Sequence, residues 1–217
     1  MKSGTGMWSP YEPHVASELI GRVDRAHGAC AAHAFVSSPS RDADCAHDWG
    51  MSAEQAQAVY ELLDQDGVRC WVMGGWGVDA LLGRVTREHK DLDLLVLITD
   101  LPRYADIVQR HGFGRKDEWG ENQRIAVGAV PFDSAFVDAH PDGREIDVHV
   151  IDVDPQGVVT QFHIDPWPLP RDAISGAGTI AGRMVRCVTR DAQIAMHTGY
   201  DLPEKHREDV RLLQAAT

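Results

Sequence analysis

The spacing of hydrophobic residues becomes regular at Met51 and stays regular along the rest of the chain. Val59 and Leu63 lie on one apolar stripe, which predicts a helix over about 53–66 with Ser52 as its N-cap. Strands are predicted after it at Arg69–Met73, Leu92–Ile98, 124–130, 136–140, 145–152 and Met184–Val188. Helices are predicted at Trp76–Leu82, at 100–111, at 190–198 and from 201 onward. Strands mixed with helices, and helices at the C-terminal end, predict an α+β fold with a mixed β-sheet.

Glycine, proline and capping residues mark the ends of several predicted elements. Pro141-Asp142-Gly143 lies between two apolar runs and predicts a hairpin turn. We expect Thr99 or Asp100 to cap the helix that follows the strand at Leu92. Residues 201–204 have a spacing like that of a capping box, and residues 153–182, rich in glycine and proline, are expected to be mostly loop.

Residues 1–50 lack this regularity and are predicted to be a poorly ordered N-terminal appendage, with a single functional domain over 51–217. An ordered extra helix around 14–27 is the alternative. No apolar run is long enough to cross a membrane, and the first residues do not read as a secretion signal. We therefore expect a cytoplasmic protein with no membrane partner.

Composition narrows the classes of partner. The chain has 217 residues, with 21 Lys and Arg against 33 Asp and Glu, and a formal net charge of −12. This acidity argues against a nucleic-acid partner, which needs a basic surface, and favours a cationic small molecule. The four cysteines form no C-x-x-C pair and are expected to be reduced thiols, with Cys70 and Cys187 buried in apolar runs.

Carboxylates on two predicted strands carry the functional argument. Asp91 and Asp93 alternate with leucines, so both project from one face of their strand. Asp147 and His149 share one face of a later strand in the same way. If the two strands are neighbours, three carboxylates and a histidine converge, and hard divalent cations are the natural counter-charge. Such a cluster suits two Mg²⁺ ions that handle a nucleoside triphosphate.

A glycine pair supplies the second half of this expected site. Gly74 and Gly75 lie between a strand and a short helix, where phosphate oxygens can approach backbone N–H groups at the helix N-terminus. Each signal is weak alone, because a strand with two aspartates is usually a solvated edge. Their combination in one order is more specific.

The block from Gly74 to Leu94 resembles the nucleotidyltransferase superfamily that includes DNA polymerase β. Gly-Gly-Trp-Gly-Val-Asp at 74–79, followed by Arg-Glu-His-Lys-Asp-Leu-Asp at 87–93, is most similar to the small, single-domain lincosamide nucleotidyltransferases. Aminoglycoside 2″-adenylyltransferases carry a similar block. The stretches Glu145–Val150 and 185–209 favour the lincosamide branch, and the resemblance extends over about 51–215.

The resemblance implies a polymerase β-like nucleotidyltransferase fold over 51–217. It also implies Mg²⁺-dependent transfer of AMP from ATP to a hydroxyl of a small antibiotic, with release of pyrophosphate. Asp91 and Asp93 fall on the family's metal-binding pair, and Asp147 falls on a third acidic position that serves as metal ligand or general base. His149 could also accept the hydroxyl proton. The choice between Asp147 and His149 stays open at this point.

Trp76 departs from the wider superfamily, in which many members have a Ser or Thr whose hydroxyl contacts phosphate. Backbone amides and basic residues must therefore hold the triphosphate. The candidates are Arg84, Arg87, His89 and Lys205. Solvated loop or helix charges are the alternative for each of them.

Other residues have an ordinary reading beside a functional one. Asp79 is expected either to orient Arg84, to contact substrate, or to be solvated on its helix. His197 and Tyr200 are expected to pack in the core or an interface. Trp119, Phe162 and Trp167 could line a drug pocket, although core packing is the simpler expectation.

The acceptor is not determined by these residues. A polycationic aminoglycoside needs several carboxylates, for which the candidates are Glu118, Glu121, Asp133 and Asp138. A lincosamide also needs aromatic contacts, for which the candidates are Trp119, Phe132 and Phe136. Modification of a protein or RNA, or binding without chemistry, are rival functions, and a homodimer is one way for so small a domain to wall its pocket.

Overall fold

A computed structural model describes residues 50–120, 122–162, 167–197 and 201–216. The expectation for residues 1–50 concerns positions that, apart from Gly50, lie outside the described residues, and it stays a prediction. Two further candidates, Glu121 and Tyr200, also lie outside them.

The described residues form helices and strands in a mixed order. The helices are α1 (Ala53–Gln65), α2 (Gly74–Leu82), α3 (Leu101–Arg110), α4 (Arg190–Ala195) and α5 (Glu204–Ala215), with a 3-10 turn at Ile98–Asp100. The strands are β1 (Cys70–Val72), β2 (Leu92–Leu97), β3 (Gly114–Glu118), β4 (Arg124–Val127), β5 (Val130–Asp133), β6 (Ala135–Ala139), β7 (Glu145–Val153), β8 (Val159–Gln161), β9 (Trp167–Pro168), β10 (Gly176–Ile180) and β11 (Arg183–Cys187). None of these helices combines the length and apolar character needed to cross a bilayer.

One mixed sheet organises the fold, in the strand order β10-β11-β1-β2-β7-β6-β3, with β8 and β9 attached beyond β7. The pairs β1–β11 and β2–β7 are parallel, and the other pairs are antiparallel. Strands β4 and β5 form a separate hairpin. The predicted mixed sheet is therefore present, and β2 lies next to β7 although about 50 residues separate them in the chain.

The two faces of the sheet are both covered, but not along their whole length. On one face, Leu92, Leu94 and Val96 of β2 belong to the larger core cluster. On the other face, Leu95 and Leu97 belong to a second cluster. Alternation places Asp91 and Asp93 on this second face, at the start of β2. The carboxylates therefore lie where the second core cluster ends.

The first helix and the hairpin turn form as the sequence predicts. Ser52 caps α1, and Gln55 completes a capping box by accepting from the Ser52 backbone N–H. Gly143 adopts a φ of 97° between β6 and β7, which only glycine enters at little cost. Cys70 and Cys187 are buried and unpaired, as expected.

The sheet differs from the prediction in three places. The hydrophobic pattern did not indicate β3, because all five of its residues are exposed. The strand predicted at 124–130 is interrupted by Gly128, whose φ of 64° turns the chain into the β4–β5 hairpin. The loop predicted at 153–182 contains β8, β9 and β10, and β10 pairs along its whole length with β11.

Two capping predictions were also wrong. Asp100 occupies the N-cap position of α3, but its carboxylate accepts from the backbone and side chain of Arg69 instead of capping the helix. The N-cap of α5 is Pro203, which has no side-chain cap, so the capping box expected at 201–204 does not form.

Candidate active site

Adjacent parallel strands bring the predicted carboxylates together. Asp93 of β2 and Asp147 of β7 are direct partners in the register, and neighbouring strands lie about 4.8 Å apart. Asp91 precedes Asp93 by two residues and projects from the same face. The convergence expected from the sequence is therefore present in the fold.

The carboxylates repel one another in a site where Asp147 is buried and Asp91 and Asp93 are half-buried. Burial raises the pKa of Asp93 well above its usual range, and the charges of Asp91 and Asp147 raise it further. Burial also raises the pKa of Asp147 to about 7, although a hydrogen bond from Trp119 lowers it and Asp91 raises it again. This pattern is typical of acidic groups gathered for a cation.

The cluster fits a hard metal ion by its donor chemistry. Asp91, Asp93 and Asp147 offer only carboxylate oxygens, which are the ligands that Mg²⁺ prefers. Among the described residues, no three His, Cys, Asp or Glu side chains are arranged closely enough to coordinate one metal ion. The side chains of Asp91, Asp93 and Asp147 would therefore have to rotate toward one another to hold an ion.

Asp147 is held by groups that the sequence did not connect to it. The indole Nε1 of Trp119 donates to Asp147 Oδ1 at 2.8 Å, and Nε2 of His149 lies 3.5 Å from the same oxygen. Trp119, which was expected either to line a pocket or to pack in the core, therefore lies beside the acidic cluster. It directly follows β3, the strand that the hydrophobic pattern did not indicate.

Glu145 lies on the same face as Asp147 but is already neutralised. Lys90 Nζ lies 3.0 Å from Glu145 Oε2, and Lys116 also donates to this carboxylate. Burial would raise the pKa of Glu145, yet the two lysines hold it below its usual range. Glu145 therefore carries its own counter-charge, although its negative charge still contributes to the raised pKa of Asp147.

The glycine pair is needed because protein side chains fill the space above it. Gly74 has a φ of 57°, and a Cβ there would lie 2.2 Å from Asp93 Oδ2. A Cβ on Gly75 would lie 2.2 Å from Nδ1 of His89. Gln193 Nε2 donates to the Gly74 carbonyl at 2.8 Å. The turn thus brings the N-terminus of α2 directly against a site carboxylate.

A chain of buried polar groups lies beside this turn. His89 Nε2 is 2.6 Å from Asp79 Oδ2, and Thr86 donates to the same carboxylate from its backbone and hydroxyl. Arg87 Nη1 lies 3.0 Å from His89 Nδ1, and its Nε and Nη2 donate to Asp209. Asp79 is only 2% exposed. The expectations that Asp79 is solvated or orients Arg84 were therefore wrong.

The four predicted triphosphate-binding residues are not all brought together. Arg87 and His89 lie against Gly75, and the charges of Lys205 and Arg87 lower the pKa of Asp93. Arg84 is exposed and follows Gly83 at the far end of α2, roughly 15 Å along the helix from Gly74. The described fold therefore groups three of the four near the turn.

Most of the proposed acceptor-binding side chains are used elsewhere. Asp133 pairs with Arg115 and Arg124. Asp138 accepts from Arg115 and the Tyr104 hydroxyl. These two carboxylates were thus wrongly expected to face a drug.

The aromatic candidates pack mainly in the core. Phe136 pairs with Val148 in the register and so projects from the face opposite Asp147. Phe132 and Phe162 pack against the larger core cluster. His197 is buried with its ring against His206, as expected for packing. Glu118 is exposed on β3, and the side chain of Trp167 lies outside the described residues.

Known proteins are similar to this chain in sequence. The lincosamide resistance protein of Staphylococcus haemolyticus is 28% identical over 162 residues, 73% of this chain and 92% of that protein. The 2″-aminoglycoside nucleotidyltransferase of Escherichia coli is 28% identical over 172 residues, 75% of this chain and 87% of that protein.

Solved structures show the same fold. Lincomycin-bound LnuA, a lincosamide antibiotic adenylyltransferase, matches with a TM-score of 0.65 at 24% identity, over 77% of this chain and 99% of LnuA. ANT(2″)-Ia in complex with adenylyl-2″-tobramycin matches with a TM-score of 0.56 at 26% identity, over 74% and 86%. The predicted nucleotidyltransferase fold is confirmed. A sequence model of aminoglycoside-2″-adenylyltransferase matches residues 55–213, so the chain belongs to that family and is a nucleotidyltransferase.

Proposed function

We propose that this antibiotic nucleotidyltransferase transfers AMP from ATP to a hydroxyl of a lincosamide. The observation that carries the chemistry is the pairing of Asp93 with Asp147 on adjacent parallel strands, with Asp91 on the same face. The raised pKa values of Asp93 and Asp147 support a role in holding cations.

Asp91, Asp93 and Asp147 would hold two Mg²⁺ ions. When bound, Mg²⁺ would supply positive charge that neutralises the charge developing on the transferred phosphorus. The N–H groups at the start of α2, with Arg87 and Lys205, would hold the phosphates. The buried setting at the start of β2 and β7 would strengthen each of these electrostatic contacts.

In the transfer, the drug hydroxyl oxygen forms a bond to the α-phosphorus of ATP. The bond from that phosphorus to the oxygen bridging to the β-phosphate breaks, and pyrophosphate leaves. We assign the hydroxyl proton to Asp147 Oδ2, because Trp119 and His149 both approach Oδ1. His149→Gln should then keep most of the activity, whereas Asp147→Asn should lose it.

The lincosamide acceptor is favoured by what surrounds Asp147. The indole of Trp119 donates a hydrogen bond to this carboxylate and places an aromatic ring beside it. Asp133 and Asp138 both form ion pairs with Arg115, so their charges are already compensated and are a poor match for the several amines of an aminoglycoside. The lincosamide resistance protein among the relatives supports the same choice.

An aminoglycoside is the second candidate acceptor. The matching family model carries the aminoglycoside name, and exposed Asp117 and Glu118 on β3 lie next to Trp119 along the chain. These two carboxylates offer an attachment for drug amines that the lincosamide proposal does not use. The net charge of −12 argues against an RNA acceptor.

The deciding experiment incubates the full chain with ATP, Mg²⁺ and a panel of lincosamides and aminoglycosides. Mass spectrometry should find one added AMP on a lincosamide, and none when Asp93→Asn replaces the wild type. Addition to aminoglycosides alone would transfer the proposal to the second candidate. A panel without any modified drug would refute both.

Because the proposed co-substrate is ATP, we also propose a cytoplasmic location. The prediction of a homodimer is tested by size-exclusion chromatography of the full chain.

A further inference from the structure

The loop between α2 and β2 holds an unusually complete set of charged contacts. Asp79 of α2 and Asp209 of α5 are 2% and 1% exposed, and His89 is 5% exposed. Arg87 joins them, with its side chain 26% exposed. Two helices that are distant in sequence are therefore connected through one guanidinium beside the glycine turn.

Donor chemistry fixes the direction of every bond in this chain. A guanidinium only donates, so Nδ1 of His89 accepts from Arg87 Nη1. The proton of the neutral ring must then lie on Nε2, which donates to Asp79 Oδ2. Asp79 also accepts twice from Thr86, so its carboxylate is fixed in turn. Asp79 thereby sets both the tautomer and the ring plane of His89.

Arg87 has little freedom left. Its Nε and one Nη2 proton bond to Asp209, and its Nη1 protons bond to His89 and the Glu88 carbonyl. Four of its five N–H groups thus have protein acceptors. Nη2 lies 2.7 Å from the point where a Cβ on Gly75 would be. The remaining Nη2 proton is therefore held at the start of α2.

This arrangement is more than a fold stabiliser needs. A buried ion pair contributes little net stability compared with apolar packing, because both charges lose their hydration. Here one buried carboxylate, Asp209, bonds Arg87 directly, and a second, Asp79, bonds it through His89. The charge of Arg87 also acts on Asp93. An oriented cation of this kind is what a triphosphate site requires.

We propose that Asp79 and Asp209 are positioning residues that hold Arg87 in the orientation that binds the triphosphate. Asp209 holds Arg87 directly, and Asp79 holds it through His89. The inference rests on the proposed use of ATP at the glycine turn. Asp79 and Asp209 themselves do not touch the nucleotide. They act by removing the conformational freedom of Arg87 before ATP arrives.

The test measures ATP affinity directly, by equilibrium titration of the full chain with ATP and Mg²⁺ in the absence of any drug. Asp209→Asn keeps the shape of the side chain but weakens its hold on Arg87, and should raise the Kd for ATP on the order of tenfold. Arg87→Lys keeps the charge but loses the bidentate geometry, and should do the same. Asp209→Glu should recover part of the affinity.

Asp106→Asn is the matched control, because Asp106 is an exposed carboxylate paired with an arginine on α3. It should leave the Kd for ATP within twofold of wild type. Drug KM should also change less than twofold in Asp209→Asn, since the acceptor side of the site is untouched. Circular dichroism of each variant shows whether it is folded. If Asp209→Asn does not fold, the two milder single variants, Arg87→Lys and Asp209→Glu, carry the test.

The outcomes separate this inference from the proposed function. Folded Asp209→Asn and Arg87→Lys proteins that bind ATP like the wild type would overturn the inference, and a lower melting temperature alone would mean a structural role only. A wild type that does not bind ATP would refute both proposals. ATP binding weakened in the variants, with no drug modified by the wild type, would support the inference and refute the acceptor assignment.

Discussion

At the scale of single residues, the side-chain period of a strand was enough to place the acidic cluster. Asp91 and Asp93 on one strand and Asp147 on another needed only alternation and strand pairing to meet. The partners of Asp79 and Arg87 could not be found this way. Arg87 and Asp209 are 122 positions apart, and no local pattern marks a contact over that distance.

Replacement of Asp93 by Asn should separate catalysis from stability. The variant loses a proposed metal ligand, so we expect turnover to fall by a factor on the order of 100 or more. Without metal it should be as stable as the wild type or more stable by about 1 kcal/mol, because repulsion from Asp91 and Asp147 is removed. Adenylyl-transfer assays and urea denaturation measure the two effects.

The control for this variant is Asp191→Asn, which changes an exposed carboxylate in the first turn of α4. It should leave turnover unchanged. An Asp93→Asn protein with near-normal turnover would remove Asp93 from the metal site.

At the scale of elements, hydrophobic periodicity found α1, β2 and β7 but missed strands of unusual composition. Strand β3 is exposed throughout, and β10 reads Gly-Ala-Gly-Thr-Ile, without an alternation of apolar and polar residues. In β10 the glycines have a packing reason. A Cβ on Gly178 would lie 2.3 Å from the carbonyl oxygen of Ala80, so α2 rests directly on the strand backbone.

Gly178→Ala should therefore push α2 away from the sheet. We expect a loss of about 2 kcal/mol in unfolding free energy, since backbone is the obstructing group and cannot rotate aside. Because α2 begins at the glycine turn, ATP affinity should fall as well. Gly114→Ala is the control: it has no atoms within 4 Å of its added Cβ and should change stability little. Equal stability of the two variants in urea would contradict this packing.

The seating of α5 should depend on pH through His206. The pKa of His206 is lowered from 6.5 to about 4, first by burial and then by the charges of His197 and Lys205. Among the weaker effects, Asp209 raises this pKa and Arg87 lowers it. Below pH 6.5, His206 therefore binds a proton in the unfolded chain but stays neutral in the folded chain. Stability is therefore complete above pH 6.5 and declines as the pH falls toward 4.

Urea denaturation at pH 7.5 and pH 5 measures this effect. Between those pH values, His206→Gln should lose less stability than the wild type, by on the order of 1 kcal/mol after allowance for partial exposure. Parallel pH profiles for the two proteins would show that His206 titrates normally in the fold.

At the scale of the whole molecule, the functional unit is predicted to begin at Met51. The Met51 backbone N–H donates to the His89 carbonyl at 2.8 Å, and its side chain is 4% exposed. A chain that starts at Met51 keeps a nitrogen donor at this position. Deletion of residues 1–50 should leave turnover within twofold and the melting temperature nearly unchanged, as measured by transfer assay and calorimetry. A fall of several degrees would show that the segment stabilises the rest of the chain.

The place of Asp209 has a consequence for the order in which the enzyme becomes active as the chain folds. Every strand of the sheet precedes Asp209 in the chain. A partly folded chain could thus pair β2 with β7 and bring Asp93 beside Asp147 while Arg87 still lacked Asp209. Such an intermediate would have its acidic cluster in place before it could bind a nucleotide, and the docking of α5 would complete the binding site.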